Sequence, residues 1–209
     1  MSTTGAFGFR VDERDKVSFY GHDSYPLGLG LDLLRITSRF DITELKKIVR
    51  GIDLIPEDDY THNLLNWGDS FLNTLSMEGR KMADGNKHLL KPNIEWAYII
   101  NLDNEVFESY SGLNIIRGRN FAGRYSKQSL LETPHIPGVR LLDNLPLIVI
   151  SGMDDKDMEG YMENIDKLMD RLMNKAKKEH PELRHYGHIE SRWKRLNARR
   201  EREVKRKAA

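Results

Sequence analysis

In "GAFGFRV", Phe7, Phe9 and Val11 alternate with small or charged residues, and "KVSFYGH" resumes the alternation after "DERD". A two-residue period of this kind belongs to half-buried strands, so the opening of the chain predicts a β-hairpin. The Gly-rich "PLGLG" then gives way to "LDLLRITSRF", whose Leu31, Leu34 and Phe40 fall on one helical face. Asp41 and Glu44 form a capping-box pattern ahead of "ITELKKIVRGI", where Leu45, Ile48 and Val49 recur at helical spacing. Between Pro56 and Gly85, the positions Leu64, Leu65, Phe71, Leu72, Leu75 and Met82 recur at spacings near three and four, with a break around Gly68. Two short helices are predicted there.

The run "IEWAYIINLDNEVFESYSG" places two β-rich stretches either side of "LDNE", in which Asp103 and Asn104 are natural turn residues. It predicts a second hairpin. Leu113 to Pro137 reads as a long loop carrying Arg117, Arg119, Arg124 and Lys127 with Phe121 and Tyr125. "VRLLD" and "LPLIVISG" read as short strands, the second so apolar that it is expected at the centre of a sheet. From Asp157 onward Met158, Tyr161, Met162, Ile165, Leu168, Met169, Leu172 and Met173 make one helical stripe, with Asp154, Asp155 and Asp157 as capping carboxylates. The four methionines on that stripe fit adaptable packing.

A chain of 209 residues suits one large domain with an extension. We expect a single α/β (α+β) domain over 1–180 and a basic helical extension over 181–209. The extension starts beyond a helix that Pro181 ends or restarts, and carries Ile189, Trp193 and Leu196 on one face. With 39% hydrophobic and 31% charged residues and a mean hydropathy of −0.61, the chain has the composition of a soluble folded protein. No apolar run is long enough to cross a bilayer, and "MSTTGAFGFR" lacks the layout of a signal peptide, so a cytoplasmic location and no membrane partner are expected. Zero Cys excludes disulfides, thiolate zinc sites and cysteine catalysis. Any nucleophile is therefore an oxygen or an amine.

Two places hold candidate chemistry. One is "FYGHDSYPLGLG", where His22 can serve as a base, Asp23 as an orienting group or amine ligand, Ser24 as a nucleophile or donor, and Tyr25 as a stacking residue. Consecutive residues on an extended chain point to opposite sides, so His22 and Ser24 share a face that Asp23 does not, and a triad of three neighbours is disfavoured. A polar turn with Asp23 capping backbone amides is the competing reading. The other place is the N-terminus. Removal of Met1 would leave Ser2 with a free α-amine beside its own hydroxyl, the pairing used by N-terminal-nucleophile hydrolases.

"GFRVDERDKVSFYGHDSYPLGLG", a hairpin followed by His-Asp-Ser-Tyr-Pro and a Gly-rich exit, resembles the start of uncharacterised phage-type proteins with an N-terminal-nucleophile-hydrolase-like fold. The resemblance covers Gly5 to Leu31 and, loosely, Ile94 to Gly112. It implies a layered sheet with helices on its faces, whose strand ends gather the N-terminus, Arg10 and the His22-to-Tyr25 loop around one pocket for a small polar ligand. It also implies hydrolysis of an amide-like bond with Ser2, His22 and Ser24 as catalytic candidates and Arg10, Asp23 and Tyr25 as ligand-binding ones. If the chain is phage-encoded, its setting is the host cytoplasm. Amidotransferases of this class usually begin with Cys, which the chain lacks, and a noncatalytic interaction or counter-defence role on the same fold is the alternative.

Net charge adds a further feature. Arg192 to Lys207 holds nine Lys/Arg and two Glu, a local +7, whereas the whole chain carries +1, so the remainder is at −6. Arg192, Lys194, Arg195, Arg199 and Arg200 are candidate phosphate contacts for nucleic acid; a protein partner or a second copy of the chain are other occupants for such an arm. "GLNIIRGRNFAGR" can grip an anion but fits no nucleotide-binding fingerprint. His180, His185 and His188 lack a completing carboxylate at ligand spacing, so no metal and no cofactor are expected.

Overall fold

The computed structural model describes residues 5–20, 23–55, 81–84, 96–112 and 139–179. Its strands are β1 (Gly5–Val11), β2 (Arg14–Tyr20), β3 (Asp53–Ile55), β4 (Lys81–Ala83), β5 (Trp96–Asn101), β6 (Val106–Gly112) and β7 (Val139–Pro146). Its helices are α1 (Leu31–Thr37), α2 (Ile42–Arg50), the single turn α3 (Leu147–Ile150) and α4 (Asp155–Glu179), with a π-helical turn over Pro26–Gly30 leading into α1. The chain divides into two compact units, Met1–Asp170 and Arg171–Ala209; of the second, only the end of α4 is among the described residues.

The main sheet is five-stranded and mixed, in the order β2-β1-β5-β6-β7, and β3 and β4 pair separately in parallel. Both expected hairpins are present. β1 and β2 pair antiparallel around Asp12 and Glu13, which take positive φ values of 51° and 61° in the tight turn. β5 and β6 pair antiparallel around the turn of "LDNE". Asn101 Oδ1 accepts from the backbone amides of Asp103 and Asn104 at 3.2 and 3.1 Å, holding that turn in place. The hairpins join along β1 and β5, which run parallel from Gly5 opposite Trp96 to Arg10 opposite Asn101. Asp103 bridges the two turns, accepting from the amides of Asp12 and Glu13 at 2.8 and 2.9 Å.

Both sheet faces are buried. One carries Ala6, Val17, Ala97, Ile99 and Tyr110 as a contiguous cluster, with Phe19 packed against it. The other carries Phe7, Phe9, Trp96, Tyr98, Ile100 and Phe107, and meets the helices. α4 contributes Met158, Met162, Ile165 and Met169 to the core, so the methionine stripe is packing. Gly30, at the start of α1, packs closely on both Tyr98 and Met162: a Cβ there would lie 3.0 Å from the Tyr98 ring and from Met162 Sδ, so a larger residue would press these side chains back. α2 begins where the capping pattern places it, with Asp41 Oδ1 accepting from Thr43 N at 2.8 Å and Glu44 N at 3.3 Å. Its other end is closed by Lys16 of β2, whose Nζ donates to the carbonyls of Val49, Arg50 and Ile52. Drawing the ammonium in among these carbonyls desolvates it, and its pKa is lowered.

Three expectations change. "LPLIVISG" is not a central strand: β7 runs on through Pro146 as the last strand of the sheet, and "LIVI" then coils into α3, leaving Ile148 72% and Val149 47% exposed. Phe40 lies beyond the end of α1, because the chain turns at Ser38–Phe40 before Asp41 caps the next helix. Met82, expected on a helix, sits in β4. The rest of the Pro56–Gly85 segment, the Leu113–Pro137 loop and the region from His180 onward lie outside the described residues. Among the described residues no helix is long and apolar enough to cross a membrane, and no group of His, Asp or Glu is placed to hold a metal.

Candidate functional site

The segment from Asp23 to Gly30 is shaped by three local constraints. Asp23 has φ 37°, a left-handed conformation that Asp tolerates better than most residues. Its carbonyl turns back to accept from Leu29 N at 3.2 Å, while Tyr25 O accepts from Gly28 N at 2.9 Å. Gly28 makes this closure feasible, since a Cβ at that position would lie 2.3 Å from Asp23 O. Pro26 fixes the entry to the π-helical turn. The left-handed Asp23 also means that the alternation of an extended chain does not apply across this loop.

The loop closes on the beginning of β1. Ser24 is fully buried, and a Cβ placed on Gly5 would lie 2.5 Å from Ser24 Cβ and 2.8 Å from its Oγ. Ser24 thus occupies the space that Gly5 leaves by lacking a side chain. The same neighbourhood holds Trp96, opposite Gly5 on β5, whose ring stacks on Tyr98 with centroids 6.5 Å apart and 4° between planes. Tyr98 donates from its hydroxyl to the Ser24 carbonyl at 3.1 Å. Complete burial pushes the Tyr98 phenol well above its ordinary value, so this donor keeps its proton.

Around the outer side of the loop lie four acidic or phenolic groups. Tyr20 is raised above its ordinary pKa first by burial and then by the negative charges of Asp32 and Asp23 and the nearby Tyr25. Asp32 is itself raised, because desolvation by the surrounding protein outweighs the attraction of Arg35. Arg35 lies 3.9 Å from Asp32 and also pairs with Asp155 at 3.0 Å and Glu159 at 3.4 Å. The outer mouth of the loop is thus acidic and phenolic in character.

The candidate residues divide clearly by position. Ser24 lies against Gly5 of β1, Tyr25 is half-buried beside Gly28 within the loop, and Asp23 is exposed. Arg10 does not join them. It sits toward the far end of β1, roughly 16 Å along the strand from Gly5 at strand rise, paired with Asp15 at 3.3 Å and near Asp103 at 3.8 Å. One pocket cannot hold both Arg10 and the loop, since a strand keeps its two ends apart. Ser2, His22, Arg192, Lys194, Arg195, Arg199 and Arg200 lie outside the described residues.

No family model, curated protein or solved structure matches this chain.

Two further polar groupings emerge from the structure. Beside Arg10, Glu108 is buried and accepts from Asn101 Nδ2 at 2.8 Å and from the Tyr110 hydroxyl at 2.6 Å. Asn101 thus ties the turn of the hairpin to its second strand, which makes this a structural brace. The other grouping, Ser109 with Asp143 and Tyr161, lies on the helix-covered face. Nothing in the spacing of these residues marks them, because Ser109 and Asp143 become neighbours only through strand register. A groove of about 80 Å³ between α2 and α3, lined by Phe40, Ile42, Leu45, Leu147 and Ile148, brings together no converging titratable groups.

Proposed function

We propose that this protein is N-terminal-nucleophile-hydrolase-like, binding a small polar ligand where the Asp23–Tyr25 loop meets the start of β1 and hydrolysing an amide-like bond there. The observation that carries the reading is the contact of Ser24 with Gly5, which brings the loop within three residues of Ser2 along the chain. In this reading the α-amine of Ser2 takes the proton of its own hydroxyl, the oxygen attacks the ligand's carbonyl carbon, and the C–N bond breaks as the proton passes to the leaving amine, leaving an ester on Ser2; a water deprotonated by the same α-amine then cleaves that ester, releasing the acid and restoring Ser2. His22 and Ser24 supply base and donor functions, and Asp23 and Tyr25 line the mouth. The acidic and phenolic character of that mouth favours a ligand carrying an amine or amide N–H.

Intact-mass spectrometry of the purified protein, paired with a Ser2→Ala variant assayed on a panel of amide substrates, tests the reading. We expect loss of Met1 and loss of hydrolysis in Ser2→Ala. A retained Met1, or hydrolysis unchanged by the substitution, removes the mechanism and leaves the noncatalytic binding role on the same loop.

The charge division of the chain favours a second activity, contact with nucleic-acid phosphates through the Arg192–Lys207 arm. Binding by the full chain should weaken steeply with salt and exceed that of a version ending at Ser191. Equal affinities across the salt series would remove it.

A further inference from the structure

Among the described residues, Leu141 at 43%, Ile148 at 72% and Val149 at 47% are the large apolar side chains left exposed. Leu141 lies on β7, where a register shift between Ser109 and Tyr110 leaves Leu142 extra and brings Asp143 opposite Ser109. A bulge of this kind interrupts the ladder that an added strand needs, so β7 does not take a partner edge to edge. Ile148 and Val149 lie on α3, and Ile148 lines the groove between α2 and α3. Within that groove Leu45 and Leu147 are buried, and Phe40 and Ile42 are half-buried. Its hydroxyls are engaged already: Thr37 Oγ1 donates to the Leu33 carbonyl at 2.6 Å, and Ser151 Oγ to the Ile148 carbonyl at 2.8 Å. What the groove offers an occupant is therefore apolar surface.

Its rim is charged. Asp41 lines the groove and is exposed at the head of α2, and Glu44 is exposed three residues on. Two carboxylates thus stand against the guanidinium of Arg39, while Lys46 of the same helix is paired with Glu105 at 2.7 Å. A fitting occupant brings an aliphatic side chain for the groove and cations for Asp41 and Glu44. Beyond the described residues the sequence holds such a segment. In "HIESRWKRLNARR", Ile189, Trp193 and Leu196 recur at spacings of four and three, the pattern by which an amphipathic helix enters a groove, and Arg192, Lys194 and Arg195 alternate with them. The +7 of Arg192–Lys207 against the −6 of the remainder draws the two surfaces together. Phosphate contact would use only the cations of this segment and leave its apolar stripe without a role.

We propose that the groove between α2 and α3 is an interface between copies of this chain, taking the Ile189–Leu196 segment of a second copy. Benzene needs an apolar cavity of about 150 Å³, so a groove of about 80 Å³ takes Ile189 or Leu196 and leaves the Trp193 indole over the exposed Ile148. Reciprocal exchange makes the same contact twice and closes the assembly as a symmetric dimer. It does not depend on any chemistry at Ser2.

The test is sedimentation velocity of the full chain over a concentration series, after nuclease treatment to remove nucleic acid that would bridge two copies. Wild type should dimerise as concentration rises, and less so at high salt, which screens the rim charges. Trp193→Ala should raise the dissociation constant about thirtyfold, the effect of losing a central aromatic anchor, and Ile148→Glu should weaken association as strongly by setting a carboxylate against the stripe. Ile148 is 72% exposed, so that variant should stay folded, which circular dichroism checks. Glu44→Lys, at the exposed rim, should weaken association about two- to fivefold. Mixing the first two variants separates this arrangement from others: the Trp193→Ala chain keeps its groove and the Ile148→Glu chain keeps its segment, so one contact re-forms and a heterodimer appears where neither variant associates alone. A wild-type chain that stays monomeric throughout, dimers that persist in Trp193→Ala or in folded Ile148→Glu, or a mixture no more associated than its components would each overturn the proposal.

Discussion

Replacing Gly5 with Ala puts one methyl group into the contact that joins the Asp23–Tyr25 loop to the first strand. The added Cβ would meet Ser24 Cβ at 2.5 Å, Ser24 Oγ at 2.8 Å and the Trp96 carbonyl oxygen at 2.8 Å, all inside ordinary contact distance. One of these is backbone of a central strand and cannot move aside easily. Overpacking of this kind costs about 1–3 kcal/mol. Ala also restricts the unfolded chain, which returns about 0.4–1 kcal/mol where φ is compatible. The net expectation is destabilisation by roughly 1–2 kcal/mol, or a fall in Tm of about 2–8 °C for a domain of this size. Thermal unfolding followed by circular dichroism reads it directly. Ser24 supplies the discriminating control. Ser24→Gly removes both of its atoms from the clash and should recover part of the loss in the double variant, whereas Ser24→Ala keeps the Cβ at 2.5 Å and should recover almost none. A Gly5→Ala protein as stable as wild type, or one rescued equally by both Ser24 variants, would refute the described packing.

Asp41 should govern part of the acid response. Two backbone amides stabilise its carboxylate and lower its pKa below 3.8, so its contribution is fully present above that value and lost as pH falls through the lower folded value. The stability advantage of wild type over Asp41→Ala should therefore shrink below about pH 4, and an advantage constant from pH 2 to 6 would count against the cap. At the alkaline end Tyr20, Tyr98 and Tyr161 are all raised, mainly by burial, so the unfolded chain loses phenolic protons first. Stability should fall as pH rises above 10, and ultraviolet titration of the folded protein should show fewer ionised tyrosines than the eight present. Full ionisation before any loss of structure would contradict their burial.

What the sequence made legible were features governed by near neighbours. Alternation marked β1, β2, β5 and β6, and Asp41 announced the start of α2 by chemistry confined to four residues. "LPLIVISG" misled because a short apolar run reads alike as a buried strand or a helical turn. Leu147 and Ile150 are buried while Ile148 and Val149 are exposed, the split of a helical turn lying on a surface. The loop at Asp23 was visible from its composition. Its docking on Gly5 was not, since a glycine chosen for what a neighbour inserts looks like any other glycine. The Ser109, Asp143 and Tyr161 grouping was still less accessible, because it needs two strand registers, one bulge and a helix phase to be known together.

The bulge in β7 bears on solubility as well as on Asp143. An outermost strand with a straight ladder is a template on which a stray chain can add, and long regular edges are where aggregation starts. Among the described residues β7 ends the sheet order, yet Leu142 breaks its regular spacing part-way along, and Pro146 offers no N–H at its end. An incoming strand would find only short runs of matching donors and acceptors on either side of the irregularity. The distortion that turns Asp143 inward thus also makes the rim of the sheet a poor seed for fibrils.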